Sequence, residues 1–352
     1  MARDRTRGTV REIADQTGYS IATVSRVLNG QSNVAPTTRA RVLSAIEQGP
    51  GPATIGATRG PGRAGNGRAG NGRAVDRRAV LVRCPYVLTD YFGLIVSAVA
   101  ETLEMHAIPL LLNAGESSQH SSILADLPNR TDVRGALLVL PPETSEELVA
   151  LRTSGLPFVI IDPRIPPPPD MAAVSASHFT GAHAVTGLLL GLGHVRIGLV
   201  AGPRTWLASD ARRTGHAAAL AEAGLLPQPE LLRHADATVA DGCRAAGELL
   251  DLPDRPTALV GFSDKTAVGA LQAAAERGLR VPQDLSVTGF DDIDLACATQ
   301  PRITTVRQPL QEMGRMAVGL LHRLMSQQDL DALHIELATT LVVRESTGPA
   351  PR

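Results

Sequence analysis

The chain has 352 residues, 43% of them hydrophobic, 20% charged and only 3% aromatic, which fits two to three globular domains and makes each aromatic position informative. The net charge of −1 is unevenly spread: residues 1–78 hold 13 Arg against 5 Asp plus Glu, and the remainder is acidic, so the N-terminal part suits a polyanion. Cys84, Cys243 and Cys297 show no metal-ligand or disulfide spacing and read as buried free thiols, and no apolar run reaches the roughly 20 residues that span a bilayer.

Residues 1–8 are polar and Arg-rich with no signal-like apolar core, so a cytoplasmic protein is expected. Thr9-Val10-Arg11-Glu12 forms a capping box, in which a threonine hydroxyl and a glutamate satisfy each other's free backbone N–H groups, and predicts a helix from about Val10. Val10, Ile13, Ala14 and Thr17 follow at helical spacing, and Gly18 provides the sharp exit. Ser20 caps a second helix running to Asn29, with Val24, Val27 and Leu28 inward; a third starts near Pro36 and buries Ala40, Leu43 and either Ile46 or Val42. Small Ala14, the Gly18 turn and Val24 let two helices cross closely, the steric demand of a helix-turn-helix. Three amphipathic helices alone would make a mere bundle. The positive charge and the polar outer face of Ser20, Ala22, Thr23, Ser25, Arg26 and Asn29 point instead to DNA.

The run from Thr9 to Ala14, with Thr23-Val24-Ser25-Arg26-Val27-Leu28-Asn29-Gly30, resembles the headpiece of the LacI/GalR family of transcription regulators. The resemblance implies that the second helix enters the major groove with Ile21, Ala22 and Arg26 at base edges. It also implies that Thr9, Ser20, Thr23, Ser25, Asn29 and Arg39 face phosphates. Hydroxyls and a helix N-terminus suit phosphate oxygens, and arginine can pair bidentately with guanine. The stretch 50–78 is rich in Gly, Pro and Arg, repeats Arg-Ala-Gly-Asn-Gly at Arg63 and Arg68, and reads as a flexible linker. Its arginines are either extra phosphate contacts or a solvated tether. Family members place a hinge helix of the type Pro-Asn-x-x-Ala-Arg-x-Leu here; this chain has Pro52-Ala53-Thr54-Ile55-Gly56-Ala57-Thr58-Arg59, so minor-groove insertion does not carry over. Ala35, where the family usually has Ser, removes another phosphate contact.

Beyond residue 78, apolar runs at 79–83, 109–113, 135–140, 158–162, 197–201, 258–262 and 285–290 alternate with amphipathic segments, the rhythm of parallel, doubly covered sheets. Leu192-Gly193-His194-Val195-Arg196-Ile197, Gly289-Phe290-Asp291-Asp292 and Thr304-Thr305-Val306-Arg307-Gln308-Pro309 resemble the same family. The implied fold class is an all-α helix-turn-helix headpiece (1–49) followed by an α/β, two-lobed, periplasmic-binding-protein-like domain (79–346) with two parallel sheets and three crossovers. The first lobe is expected over 79–176 and 292–308, the second over 177–291 and 309–346.

Ligands of such sheets meet the carboxyl ends of strands. Tyr91, Phe92, Phe179 and Trp206 fall near those ends, as do the polar candidates Asp162, Arg212, Asp264 and Asp291. Aromatic faces against sugar C–H surfaces, with carboxylates and guanidinium taking hydroxyls, make a carbohydrate site. Phe262 and Phe290 read more simply as core, and Asp264 as either a ligand contact or a helix cap. By resemblance Arg212 is a ligand-clamping arginine and Asp291 a ligand contact. His178 stands where many members have Asn, and Ala237 where an aromatic is common. The expected protein is a homodimeric repressor without cofactor or metal, which reads a palindromic double-stranded operator and is released by a small effector of the sugar class. The interface is expected along 94–105 and 265–277. A corepressor role for the effector stays open. No phosphate-binding loop, nucleophile elbow or HExxH pair supports an enzyme, and the headpiece argues against a transport binding protein.

Overall fold

The computed structural model describes residues 17, 19, 20, 23, 37, 38, 41 and 42, then 78–120, 123–330 and 332–351. The chain forms two compact units, 1–73 and 74–352. In the first, Thr17, Thr23, Thr37, Thr38, Arg41 and Val42 are helical and Val42 is fully buried. The expected linker, 50–78, lies outside the described residues except for Arg78.

The second unit opens with β1 (Ala79–Cys84), α1 (Asp90–Met105), β2 (Leu110–Ala114), β3 (Val133–Val139), α2 (Ser145–Thr153), β4 (Phe158–Ile161) and β5 (Ala172–Ala176). There follow α3 (His178–Gly191), β6 (Ile197–Ala201), α4 (Leu207–Glu222), β7 (Leu232–His234), α5 (Val239–Leu250), β8 (Ala258–Gly261), α6 (Asp264–Glu276) and β9 (Ser286–Thr288). The chain closes with α7 (Asp294–Ala298), β10 (Thr305–Arg307), α8 (Leu310–Met325), β11 (His334–Leu337) and β12 (Thr340–Val342).

Two parallel sheets organise this unit, β11-β5-β4-β3-β1-β2 in the first lobe and β7-β6-β8-β9 in the second, beside an antiparallel pair β10-β12. Strand periodicity divides each core in two. Val80, Val82, Leu137, Val139, Val159 and Ile161 meet α1 and α8 on one face, while Leu81, Ala136, Leu138 and Ile160 meet Leu148 and Leu151 of α2 on the other. Burial on both faces is why these strands read as unbroken apolar runs. In the second lobe, Val200, Leu259 and Val287 pack on the alanine-rich faces of α5 and α6, and Ile197, Leu199 and Val260 on Val185 and Leu189 of α3. Each fully buried Leu or Ile contributes about 1.5–3 kcal/mol.

The lobe boundaries expected for the C-terminal segments are corrected. Segment 309–337 belongs to the first lobe: Leu310, Met313, Ala317, Val318 and Leu321 of α8 enter its core, and β11 pairs with β5 from His334 beside Ala173 to Leu337 beside Ala176. Segment 292–308 stays with the second lobe, where Ala296 and Ile303 join the core and Thr304 pairs with Thr288. The chain then returns at β12 and ends on the second lobe, with Ala350 N–H donating to Leu192 O at 2.9 Å. The physical reason is the apolar stripe of α8, which matches the face left open beside α1. Chain passages at 176–178, 307–310 and 337–340 are the three crossovers.

Of the three thiols only Cys84 is buried; Cys243 is partly exposed and Cys297 exposed, which corrects the expectation of three buried thiols. Among the described residues no helix is long and apolar enough to cross a membrane, and no cluster of three or more His, Cys, Asp or Glu is arranged to hold a metal.

Candidate functional site

The carboxyl ends of both sheets face one cleft. Several residues there hold left-handed backbone without being glycine: Leu140 after β3 (φ 44°), Asp162 after β4 (φ 53°), and Asp291 (φ 113°) and Asp292 (φ 59°) after β9. Such conformations cost on the order of 1–3 kcal/mol each and persist where the surroundings fix them. Here they turn Leu140, Asp162 and Asp291 into the cleft lining.

Six of the eight expected effector residues come together: Tyr91, Phe92, Asp162, Trp206, Arg212 and Asp291 all line the cleft. Tyr91 and Phe92 occupy the first turn of α1, and Phe92 stacks on Tyr86 at 4.4 Å between ring centroids. Trp206, at the N-cap of α4, meets Phe262 edge-on at 6.1 Å and Tyr86 at 6.5 Å. The walls are therefore aromatic from both lobes. Gly202 makes room for this arrangement, since a Cβ there would stand 2.6 Å from the Phe262 ring.

The floor is a buried polar network. Tyr91 donates its phenol hydrogen to Asp162 Oδ2 at 2.6 Å, and His178 Nε2 lies 2.8 Å from Asp162 Oδ1. Arg212 approaches His178 Nδ1 through Nε at 3.4 Å and Nη2 at 3.3 Å, and donates through Nη1 to Phe262 O. A guanidinium offers donors only, so Nδ1 accepts and the imidazole proton sits on Nε2, aimed at Asp162. The guanidinium also lies over the rings of Phe290, at 3.7 Å, and Phe262, at 4.5 Å. Asp291 takes a hydrogen bond from Gln308 Nε2 at 2.7 Å and faces Arg212 Nη2 at 3.7 Å.

Electrostatics follow this geometry. Burial pushes the Asp291 carboxyl up to about 6 against the pull of Arg212 and Gln308. Burial acts upward on Asp162 too, but His178, Tyr91 and Arg212 outweigh it and hold that carboxyl below its ordinary range. Two further polar atoms, Trp206 Nε1 and Gln308 Oε1, are buried without a hydrogen-bond partner among the described residues. Trp206 lines the cleft, and a ligand hydroxyl oxygen could accept from its Nε1.

Two expected residues are not in the cleft. Phe179 is 43% exposed and stacks on His183 at 6.2 Å; at the start of α3 it is its neighbour His178 that turns inward. Asp264 is fully buried beneath the cleft, where its carboxylate accepts from Ile293 N at 2.9 Å and Thr305 Oγ1 at 2.5 Å and so secures the loop that presents Asp291. Burial, then the charge of Asp291, raises its pKa well above the ordinary value. His178 and Gln308 join the site without being among the residues expected there from sequence. The first differs from the usual family residue and the second lies inside the family-like run Thr304–Pro309, so the sequence carries a signal for both.

The lobes also touch at the cleft mouth, where Lys265 Nζ on α6 lies 3.4 Å from Asp90 Oδ2 on α1, and Leu207 N–H donates to Arg164 O at 2.8 Å. The free space is about 80 Å³. That holds on the order of five waters and no disaccharide, so entry of a larger ligand requires the lobes to part.

Of the expected DNA contacts, Ser20 and Thr23 are described. Ser20 Oγ accepts from Thr23 N–H at 3.2 Å, the bond of an N-cap, and its hydroxyl lies 2.9 Å from Thr23 Oγ1. Thr9, Ile21, Ala22, Ser25, Arg26, Asn29 and Arg39 lie outside the described residues.

Comparison with known proteins agrees with both units. Residues 9–49 match the model "Bacterial regulatory proteins, lacI family", and residues 186–347 match a "Periplasmic binding protein-like domain". The HTH-type transcriptional repressor CytR of Escherichia coli K12 is 31% identical over 99% of each chain. The HTH-type transcriptional regulator MalR of Streptomyces coelicolor is 33% identical over 97% of this chain and 96% of its own. A solved complex of the transcriptional regulator CelR with cellobiose superposes with a TM-score of 0.70 at 29% identity, covering 97% of this chain and all of its own. These relatives are regulators, not enzymes. With a whole-length match to a repressor and a headpiece that matches the family's model, the chain belongs to the lacI family of bacterial regulatory proteins, DNA-binding regulators of transcription.

Proposed function

We propose that the protein acts in the cytoplasm as a homodimeric repressor that holds a palindromic operator until a sugar-class effector enters the cleft and releases it. The observation that carries this reading is the cleft itself: aromatic walls drawn from both lobes over a floor of Asp162, His178, Arg212 and Asp291. Aromatic faces cover sugar C–H surfaces, and the carboxylates and guanidinium take vicinal hydroxyls. CelR, a structural neighbour, is known in complex with cellobiose, which supports the ligand class. Because the floor joins the lobes, a ligand that takes over those hydrogen bonds changes their closure, and the change reaches the headpieces through the chain that enters β1 at Ala79. A single headpiece makes few base contacts, and two-fold symmetry doubles them. In this reading 1–49 is the DNA-binding domain, 50–78 the linker, and Thr9, Ser20, Thr23, Ser25, Asn29 and Arg39 meet phosphates while Ile21, Ala22 and Arg26 meet bases.

A thermal-shift screen of mono- and disaccharides tests the ligand class. At a hundred times its Kd a true effector adds about 2.7 kcal/mol to folding and raises Tm by several degrees. A screen in which no saccharide moves Tm, while a ligand of another class does, would overturn the assignment.

A further inference from the structure

The second lobe carries a larger pocket away from the cleft, between β6, β7, the C-terminal half of α4 and the loop joining α4 to β7. Its volume is about 230 Å³, against about 80 Å³ in the cleft. Its walls include Ile197, Leu199, Leu220, Leu225, Pro227 and Leu232. Two more lining residues, Leu226 and Val195, are 81% and 69% exposed, an apolar surface that a folded protein ordinarily covers.

One polar lining residue, His216, is buried in the wall, whereas Arg213 and Gln228 are exposed. Arg213 Nη2 donates to Asp210 at 2.6 Å, and Gln228 Oε1 accepts from Arg196. His216 also lines it and is only 4% exposed. Its Nδ1 lies 3.0 Å from Thr186 Oγ1 on α3, and its Nε2 has no hydrogen-bond partner among the described residues. Apolar cavities of about 150 Å³ take up benzene, so this one has room for more than a single bare ring.

We infer that this pocket is a second small-molecule site, for a neutral compound of one or two rings whose single hydroxyl, able to donate or accept, meets His216 Nε2. Neutrality follows from the walls: burial pushes the His216 imidazole down to about 4, and the lining arginine is already paired, so a charged ligand would be buried without a counter-charge. The site also has a route to the cleft, because α4 carries Arg212 one turn before His216 and reaches both pockets.

The probes are 4-fluorophenol and fluorobenzene, followed by fluorine NMR on the full-length protein. The expected result is saturable binding of 4-fluorophenol at millimolar concentration, several-fold tighter than fluorobenzene. His216→Leu should bring the two probes to equal affinity. Ala217→Phe, which fills the pocket from α4, should abolish binding of both while the protein still melts cooperatively. Should that variant fail to fold, Leu226→Asp places a charge at the exposed mouth and should weaken both probes at least several-fold. Absence of saturable binding, or undiminished binding in the pocket-filling or mouth variant, overturns the proposal.

Discussion

His178 Nε2 lies 2.8 Å from Asp162 Oδ1, and the two residues stand in different lobes, His178 at the start of α3 and Asp162 just after β4. With Tyr91 donating to the other carboxylate oxygen, Asp162 is the acceptor on which inter-lobe closure and ligand recognition converge. Asp162→Asn removes the charge with little change of shape and loses charge-assisted hydrogen bonds of about 1.5–3 kcal/mol. The expected outcome is a ten-fold or greater loss of effector affinity by calorimetry. Wild-type effector affinity in this variant would remove Asp162 from the site.

Arg212 fills the space over Phe290 and Phe262 and is the cation nearest Asp291. Truncation to alanine leaves that carboxylate buried with Gln308 as its remaining close partner. Arg212→Ala is expected to destabilise folding by about 3–5 kcal/mol, the range for breaking a buried charge pair, as read by urea unfolding. A loss under 1 kcal/mol would mean that water already satisfies Asp291.

Ser20 serves both as helix N-cap and as an expected phosphate neighbour. Aspartate caps a helix as well as serine does but repels phosphate. Ser20→Asp should therefore keep the far-UV circular dichroism of the full-length protein and weaken operator binding far more than Ser20→Ala. Equal binding by both variants would place Ser20 away from the backbone of the DNA.

Burial holds the His216 imidazole at about 4 in the fold, against about 6.5 when unfolded. A depressed folded pKa means that the unfolded chain binds the proton more tightly. The contribution is thus fully present above pH 6.5 and is lost as pH falls toward 4, on the order of 3 kcal/mol in all. His216→Gln lacks the titration, so the excess stability of wild type over the variant should shrink across that window. A difference independent of pH would mean that the imidazole is not buried in its neutral form.

Much of this architecture is legible in the chain because burial on both faces writes strands as apolar runs: β1, β3, β4, β6 and β8 fall at or within two residues of their expected bounds. β5, with the sequence Ala-Ala-Val-Ser-Ala, is too small-sided to stand out, and β11 alternates exposed and half-buried residues at the sheet edge. The assignment of α8 to a lobe depends on contacts with residues more than 200 positions away, which no local pattern encodes. In the site, strand-end residues such as Asp162 and Asp291 were legible. At the start of α3 the rotational phase of the helix decided between His178 and Phe179, and phase is the quantity a sequence fixes least well just after a crossover. Asp264 misled because a strand-end carboxylate can serve a loop N–H, here that of Ile293, as readily as a ligand.

On the function proposed above, a ligand in the cleft sets affinity for DNA. The direct test is operator binding by fluorescence anisotropy, titrated to saturation with a saccharide found by thermal shift, for wild type and Asp162→Asn. Wild type should lose five-fold or more in operator affinity at saturating ligand, a coupling of about 1 kcal/mol or above, and Asp162→Asn should need at least ten-fold more ligand than wild type for any such loss. Ligand that saturates wild type without changing operator affinity, or that acts on Asp162→Asn at the same midpoint concentration as on wild type, would contradict this reading.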